Sequence, residues 1–166
     1  VARVSKRWGE LSETDIQVSF NVSPAQLRSA RACENWLNFL VGIGVRGSSI
    51  TIEITEKVLL EAPPRVLDLI KQLKNAGINI AIDDFGTGYS SLSYLKKFDI
   101  DYIKIDRSFV HDLVKNDSDR ALAETIIVMG HKLGVQVVAE GVENYQQAHI
   151  LASAGCDYAQ GNLFSR

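Results

Sequence analysis

Residues 81–91, AIDDFGTGYSS, close an apolar run, INIAI, with two adjacent carboxylates, Asp83 and Asp84, and then turn on Gly86 and Gly88. Neighbouring residues of a strand point to opposite faces, and a buried carboxylate is costly unless it is paired or bound to a cation. Acids recur in similar settings: Glu53 inside ITIEIT, Asp106 after YIKI, Glu140 at the end of VQVVAE, with Glu56 and Glu143 close behind. Lys104 is the lysine among them, and Asn21 and Gln160 are the neutral amides. Gathered at one mouth, these charges would demand cations or protonation. Carboxylates with an Asn carbonyl form a hard-oxygen set that suits Mg²⁺, Mn²⁺ or Ca²⁺ rather than zinc. Paired ions about 3.5–4 Å apart clamp the attacking and leaving oxygens of a phosphoryl displacement. Asp83 and Asp84 could reach two ions, or one could bind metal while its neighbour orients water.

The elements that must position these residues follow from periodicity. Short β-branched runs alternate with helical patterns, as βα units in a parallel sheet do. Strands are expected at 16–22, 50–55, 78–83, 102–106, 135–140 and 156–160. Ser23-Pro24 opens a helix running to about Val41, and Pro63-Pro64 one that stops before Gly77. Asp117, Ser118 or Asp119 caps a helix ending near Gly134, and Asn144 one ending before Gly155. Within each strand the apolar phase opposes a polar one: Ile50, Ile52 and Ile54 against Thr51 and Glu53, or Ile103 and Ile105 against Tyr102, Lys104 and Asp106. Asn21, Glu53, Asp83, Lys104, Asp106, Glu140 and Gln160 all fall at or near carboxyl ends of strands, where a (β/α) barrel builds its site. A single polar residue there is equally a turn former or helix cap; the repetition over six strands is what favours a site.

Other features bound the reading. The chain has 166 residues and a formal net charge of −2, which suits one domain and gives no basic excess for a nucleic-acid polymer. No run approaches a membrane span and the first residues form no signal peptide, so a soluble, cytoplasmic domain is expected. Cys33 and Cys156 are read as buried apolar side chains. His111, His131 and His149 fall in expected helices away from strand ends and are read as solvated or satisfied in the core. Gly86-Thr87-Gly88 allows close approach of backbone to a ligand, with Tyr89, Ser90 and Ser91 beside it, and is equally an ordinary βα turn. Lys104 is equally the counter-charge of Asp106.

Taken in order, FNVS (20–23), EITE (53–56), DDFGTGYSSL (83–92), KIDRSF (104–109), AEGVE (139–143) and QGNLFSR (160–166) resemble the EAL domain of bacterial cyclic-di-GMP phosphodiesterases. The resemblance implies a modified TIM (β/α) barrel, incomplete here with about six strands, and hydrolysis of cyclic di-GMP to linear pGpG with two Mg²⁺ or Mn²⁺ ions. It implies metal ligation by Asn21, Glu53, Asp83 and Glu140, with Asp84 at the second metal or its water. Lys104 would orient the nucleophilic water, making Lys104, Glu140 and Asp84 the catalytic set, and Gln160 would help hold the site. Glu56 would anchor the loop DFGTGYSS (Gly86, Thr87, Gly88, Tyr89 and Ser90 within it), Glu143 would be a supporting acid, and Asp106 would stand behind the ligands. Expected partners are cyclic di-GMP, attached sensory or regulatory domains and a second copy in a homodimer. The Glu-Ala-Leu triplet that names the family, on its first strand, does not occur, and Arg166 stands where the family continues into a proline and a final helix, so a single domain truncated at both ends is expected; Asn162 stands where an aromatic residue is common, a minor departure. Two other readings stay open: a non-catalytic cyclic-di-GMP receptor of the same type, and a barrel enzyme that abstracts protons with a lysine and carboxylates.

Overall fold

The computed structural model describes residues 16–27, 42, 45–88, 95 and 98–165. The chain divides into two compact units, Val1–Ala81 and Ile82–Arg166. In chain order the elements are β1 (Val18–Asn21), α1 (Pro24–Leu27), β2 (Ile50–Thr55), α2 (Glu56–Leu60), α3 (Pro64–Asn75), β3 (Asn79–Phe85), β4 (Tyr102–Ile105), α4 (Arg107–His111), α5 (Asp117–Lys132), β5 (Gln136–Glu140), α6 (Tyr145–Ser153) and β6 (Tyr158–Gln160). Each expected strand is present, within a few residues of its expected bounds. The helix expected to reach Val41 lies outside the described residues beyond Leu27.

In the first unit β1 runs parallel to β2, with Val18 opposite Ile50 and Asn21 opposite Glu53. Ile50, Ile52 and Ile54 are fully buried, and Thr51 and Glu53, on the opposite phase, are buried too. Both faces of this strand are therefore covered, as in a parallel sheet. Helix α3 buries Val66, Leu69, Ile70 and Leu73, the i, i+3, i+4, i+7 stripe of an amphipathic helix. Pro64 starts it at a position where the missing N–H costs nothing.

In the second unit β4, β5 and β6 form consecutive parallel pairs, with Lys104 opposite Val138 and Glu140 opposite Gln160. Ile103, Ile105, Val137 and Ala139 are completely buried and form the apolar phase. Helix α5 covers them with Ala123, Ile126, Ile127 and Gly130. At Gly130 a β-carbon would sit 2.6 Å from Val137 Cγ2, so this helix packs on β5 at a distance only glycine permits. The cap of α5 is Asn116 rather than Asp117, Ser118 or Asp119: its Oδ1 accepts from the amides of Ser118 and Asp119. Asp119 instead receives the Asn116 amide at 2.8 Å. Asn144 caps α6 as expected, within a capping box closed by Gln147.

One polar staple ties this unit away from the site. Asp157 Oδ2 accepts from the Val137 amide at 2.8 Å and lies 2.9 Å from His131 Nε2. Burial pushes the Asp157 carboxyl up, but these hydrogen bonds and the imidazole outweigh it and hold it below the usual range. His131 is thus held by the Asp157 carboxylate, while His111 and His149 are exposed. Cys156 is half-buried rather than buried, with its thiol on the Val137 and Tyr158 carbonyls; Cys33 lies outside the described residues. Among the described residues no helix is long and apolar enough to cross a membrane.

Candidate active site

The parallel register places the second-unit residues. Lys104 is opposite Val138, and Glu140 is two residues further along β5, so Lys104 and Glu140 project from the same face. Asp83 joins them from β3. Lys104 Nζ lies 2.5 Å from Glu140 Oε1 and 3.3 Å from Asp83 Oδ1, with the lysine only 5% exposed. Gln160, directly opposite Glu140, donates from Nε2 to Glu140 Oε1 at 2.8 Å. A buried ammonium is tolerated because two carboxylates face it.

Asp84 follows Asp83 at the carboxyl end of β3, with φ of 54°. That left-handed conformation costs an L-residue other than glycine about 1–2 kcal/mol, and such strain gathers at functional sites. Burial pushes the Asp84 carboxyl up, the charges of Asp83 and Asp106 and a hydrogen bond with Asp106 push it further, and Lys104 opposes them. Asp106 moves the other way: burial raises it, but the Ser108 hydroxyl and amide, Arg107 and Asp84 together hold it down. The two carboxyls are therefore pushed in opposite directions, Asp84 up and Asp106 down. Asp106 also caps α4 through the Ser108 amide.

After Asp84 the backbone turns at Gly86, φ 94°, where a β-carbon would meet the Phe109 ring at 3.0 Å. Thr87 donates its hydroxyl to the Asp84 carbonyl at 2.8 Å, and Gly88 is exposed. Tyr89 and Ser90 lie outside the described residues.

The first unit carries the other predicted residues. Asn21 and Glu53 are register partners at the ends of β1 and β2, Asn21 exposed and Glu53 buried. Glu56 is buried at the first position of α2, where a carboxylate meets the positive end of the helix dipole. Glu143 is exposed beyond β5, its amide donating to Gln147 Oε1 at 2.8 Å. Gln147 was missed by the sequence reading, although Asn144-x-x-Gln147 has the spacing of a capping box.

The donors suit a hard divalent cation. All are oxygens, and Asp83 Oδ1 is buried without a hydrogen bond, since Lys104 is near enough to pair charges but not aligned to donate. Among the described residues no group of three or more His, Cys, Asp or Glu side chains converges on one point. Lys104, between Asp83 and Glu140, provides the positive charge there.

Parallel βα units that bring a lysine and carboxylates to the strand ends have the arrangement from which α/β barrels build their sites. The profile of the EAL domain family matches residues 1–166, and the chain belongs to that family. It is 38% identical over 151 residues to cyclic di-GMP phosphodiesterase NbdA of Pseudomonas aeruginosa, covering 91% of this chain and 19% of that one. The structure of the PaMucR phosphodiesterase in complex with c-di-GMP superposes with a TM-score of 0.94 at 34% identity, over 99% of this chain and 67% of that one. A manganese and cyclic-di-GMP complex of Klebsiella pneumoniae BlrP1 matches with a TM-score of 0.87 at 34% identity, over 99% of this chain and 42% of that one. These matches establish the modified, incomplete TIM-barrel fold with its six strands. The chain spans about a fifth of the length of several curated relatives, 18%, 20% and 23% of three of them.

Proposed function

We propose that this chain hydrolyses cyclic di-GMP to linear pGpG. The observation that carries the reading is the Lys104 ammonium held between Asp83 and Glu140, with Gln160 on the same Glu140 oxygen, in a chain of the EAL family. The relatives' phosphodiesterase names and the cyclic-di-GMP complexes support the substrate. In the reaction a water oxygen bonds to phosphorus, the P–O3′ bond breaks, one water proton is lost and the leaving 3′ oxygen gains one.

Asn21, Glu53, Asp83, Glu140 and Asp84 would hold two Mg²⁺ or Mn²⁺ ions. When bound, such ions supply a lowered pKa for water and charge compensation at the phosphoryl oxygens. Lys104 orients the water and neutralises Asp83 and Glu140. Gln160 fixes the Glu140 oxygen, and Asp106 stands behind the ligands, bonded to Asp84. Glu143 supports the site from beyond β5. Attached sensory domains, a homodimer and a cytoplasmic location complete the proposal.

The test incubates the chain with cyclic di-GMP and Mn²⁺, with Glu140→Ala as control, and separates products by anion exchange. Linear pGpG from the unaltered chain alone is expected. Binding without product at saturating Mn²⁺ points instead to a receptor, and indifference to guanine dinucleotides refutes both.

A further inference from the structure

Gln147 is a polar side chain, 2% exposed, that uses its full hydrogen-bonding capacity. Its Oε1 accepts from the amides of Glu143 at 2.8 Å and Asn144 at 3.2 Å. Its Nε2 donates to the carbonyls of Val110 at 3.0 Å and His111 at 3.1 Å. One half is a local helix cap, whereas the other reaches 37 residues back to α4. A cap alone needs only the first half.

The two segments so joined both line one cavity of about 520 Å³, with Arg107, Ser108, His111 and Asp112 from α4 and its end, and Gly141 and Glu143 from the loop after β5. Gly161 and Asn162 form its third side. Arg107, Gly141 and Gly161 directly follow Asp106, Glu140 and Gln160 in the chain, so the cavity lining continues from the ends of β4, β5 and β6. The walls are already close: at Gly141, φ 73°, a β-carbon would stand 2.8 Å from Arg107 Cβ. On the other side Val142 donates to the Gln160 carbonyl and accepts from the Leu163 amide, each at 3.0 Å. The loop 141–144 is thus pinned to β6 by backbone and to α4 by Gln147.

We propose that Gln147 is a positioning residue for the hydrolysis, setting the spacing of the two cavity walls that receive the part of the dinucleotide next to the scissile phosphate. This rests on the phosphodiesterase reading. Gln147 bonds to the Glu143 backbone but to none of Asp83, Asp84, Lys104, Glu140 and Gln160, so its loss acts on substrate binding and leaves the chemical step alone.

Gln147→Met keeps the length and volume while removing all four hydrogen bonds; Gln147→Glu keeps the acceptor half and loses the donor half. Steady-state hydrolysis of cyclic di-GMP by the full chain with Mn²⁺ is followed for both variants, with circular dichroism recording the folded fraction. KM is expected to rise about tenfold in Gln147→Met and at least as much in Gln147→Glu, whose second carboxylate oxygen would face the Val110 and His111 carbonyls, with kcat per folded molecule within about twofold of the unaltered chain. A merely structural role lowers the folded fraction, reducing apparent kcat at constant KM. An unchanged KM in whichever variant folds overturns the inference alone. If the unaltered chain neither hydrolyses nor binds cyclic di-GMP, the phosphodiesterase reading fails and takes this inference with it.

Discussion

Replacing Lys104 by methionine keeps most of its aliphatic stem and removes the charge that Asp83 and Glu140 face. At the observed separations of 3.3 and 2.5 Å, an effective dielectric of about 20 gives gross attractions of about 5 and 7 kcal/mol. Desolvation of the three charges cancels much of that, and removing one partner of a buried pair costs about 3–5 kcal/mol net, because the remaining charge is left uncompensated. For a chain of this size that corresponds to a fall in Tm of about 6–20 °C. The assay is urea and thermal unfolding in EDTA, so that no divalent ion compensates the carboxylates. Adding Asp83→Asn and Glu140→Gln to Lys104→Met is expected to recover most of the loss, because no buried charge then remains. Activity is expected to fall by about 10²–10³ in Lys104→Met. A stability loss below about 1 kcal/mol, or a triple variant no better than the single, refutes the view that Lys104 is an electrostatic keystone.

Asp84→Gly removes a left-handed cost of about 1 kcal/mol, which offsets the lost bond to Asp106; activity is expected to vanish with stability held, and a loss above about 2 kcal/mol contradicts this. Asp157, whose carboxyl is held below its ordinary value, stabilises the fold at neutral pH, and this contribution disappears as pH falls through its folded pKa. Urea unfolding from pH 7 to pH 2.5 should therefore show Asp157→Asn less stable by about 1 kcal/mol at neutral pH, with the gap closing in acid; a constant gap refutes the assignment. Burial pushes the Cys156 thiol up to about 11, so its alkylation by iodoacetamide at pH 8, followed by peptide mass, should be slow in the folded chain and fast in urea.

Much of the architecture was legible because strand and helix periodicity are local. ITIEIT and YIKI carry their buried phases in their spelling, and Asn144 three residues before Gln147 announces a helix start. The acids at the strand ends were legible for the same reason, since their order along each strand is set by alternation. Local reading went wrong at Asn116, where several good capping residues stand in a row and only the geometry of the turn selects one. It also missed the burial of Thr51 and Glu53, because a polar residue shows its phase but not what covers it.

What the sequence by itself determined is the kind of chemistry available: carboxylates, a lysine and amides at strand ends, and the family motifs that contain them. Only the tertiary structure decided which of them meet. Lys104 finds Glu140 because parallel register puts Val138 across from it, and Gln160 reaches the same oxygen by the next register pair. Gln147 bonds to Val110, 37 residues away. Register and long-range hydrogen bonding depend on how helices such as α5 pack against the strands, through contacts as close as Gly130 on Val137. No local spacing encodes those contacts, so the partners of each charge are a property of the folded chain.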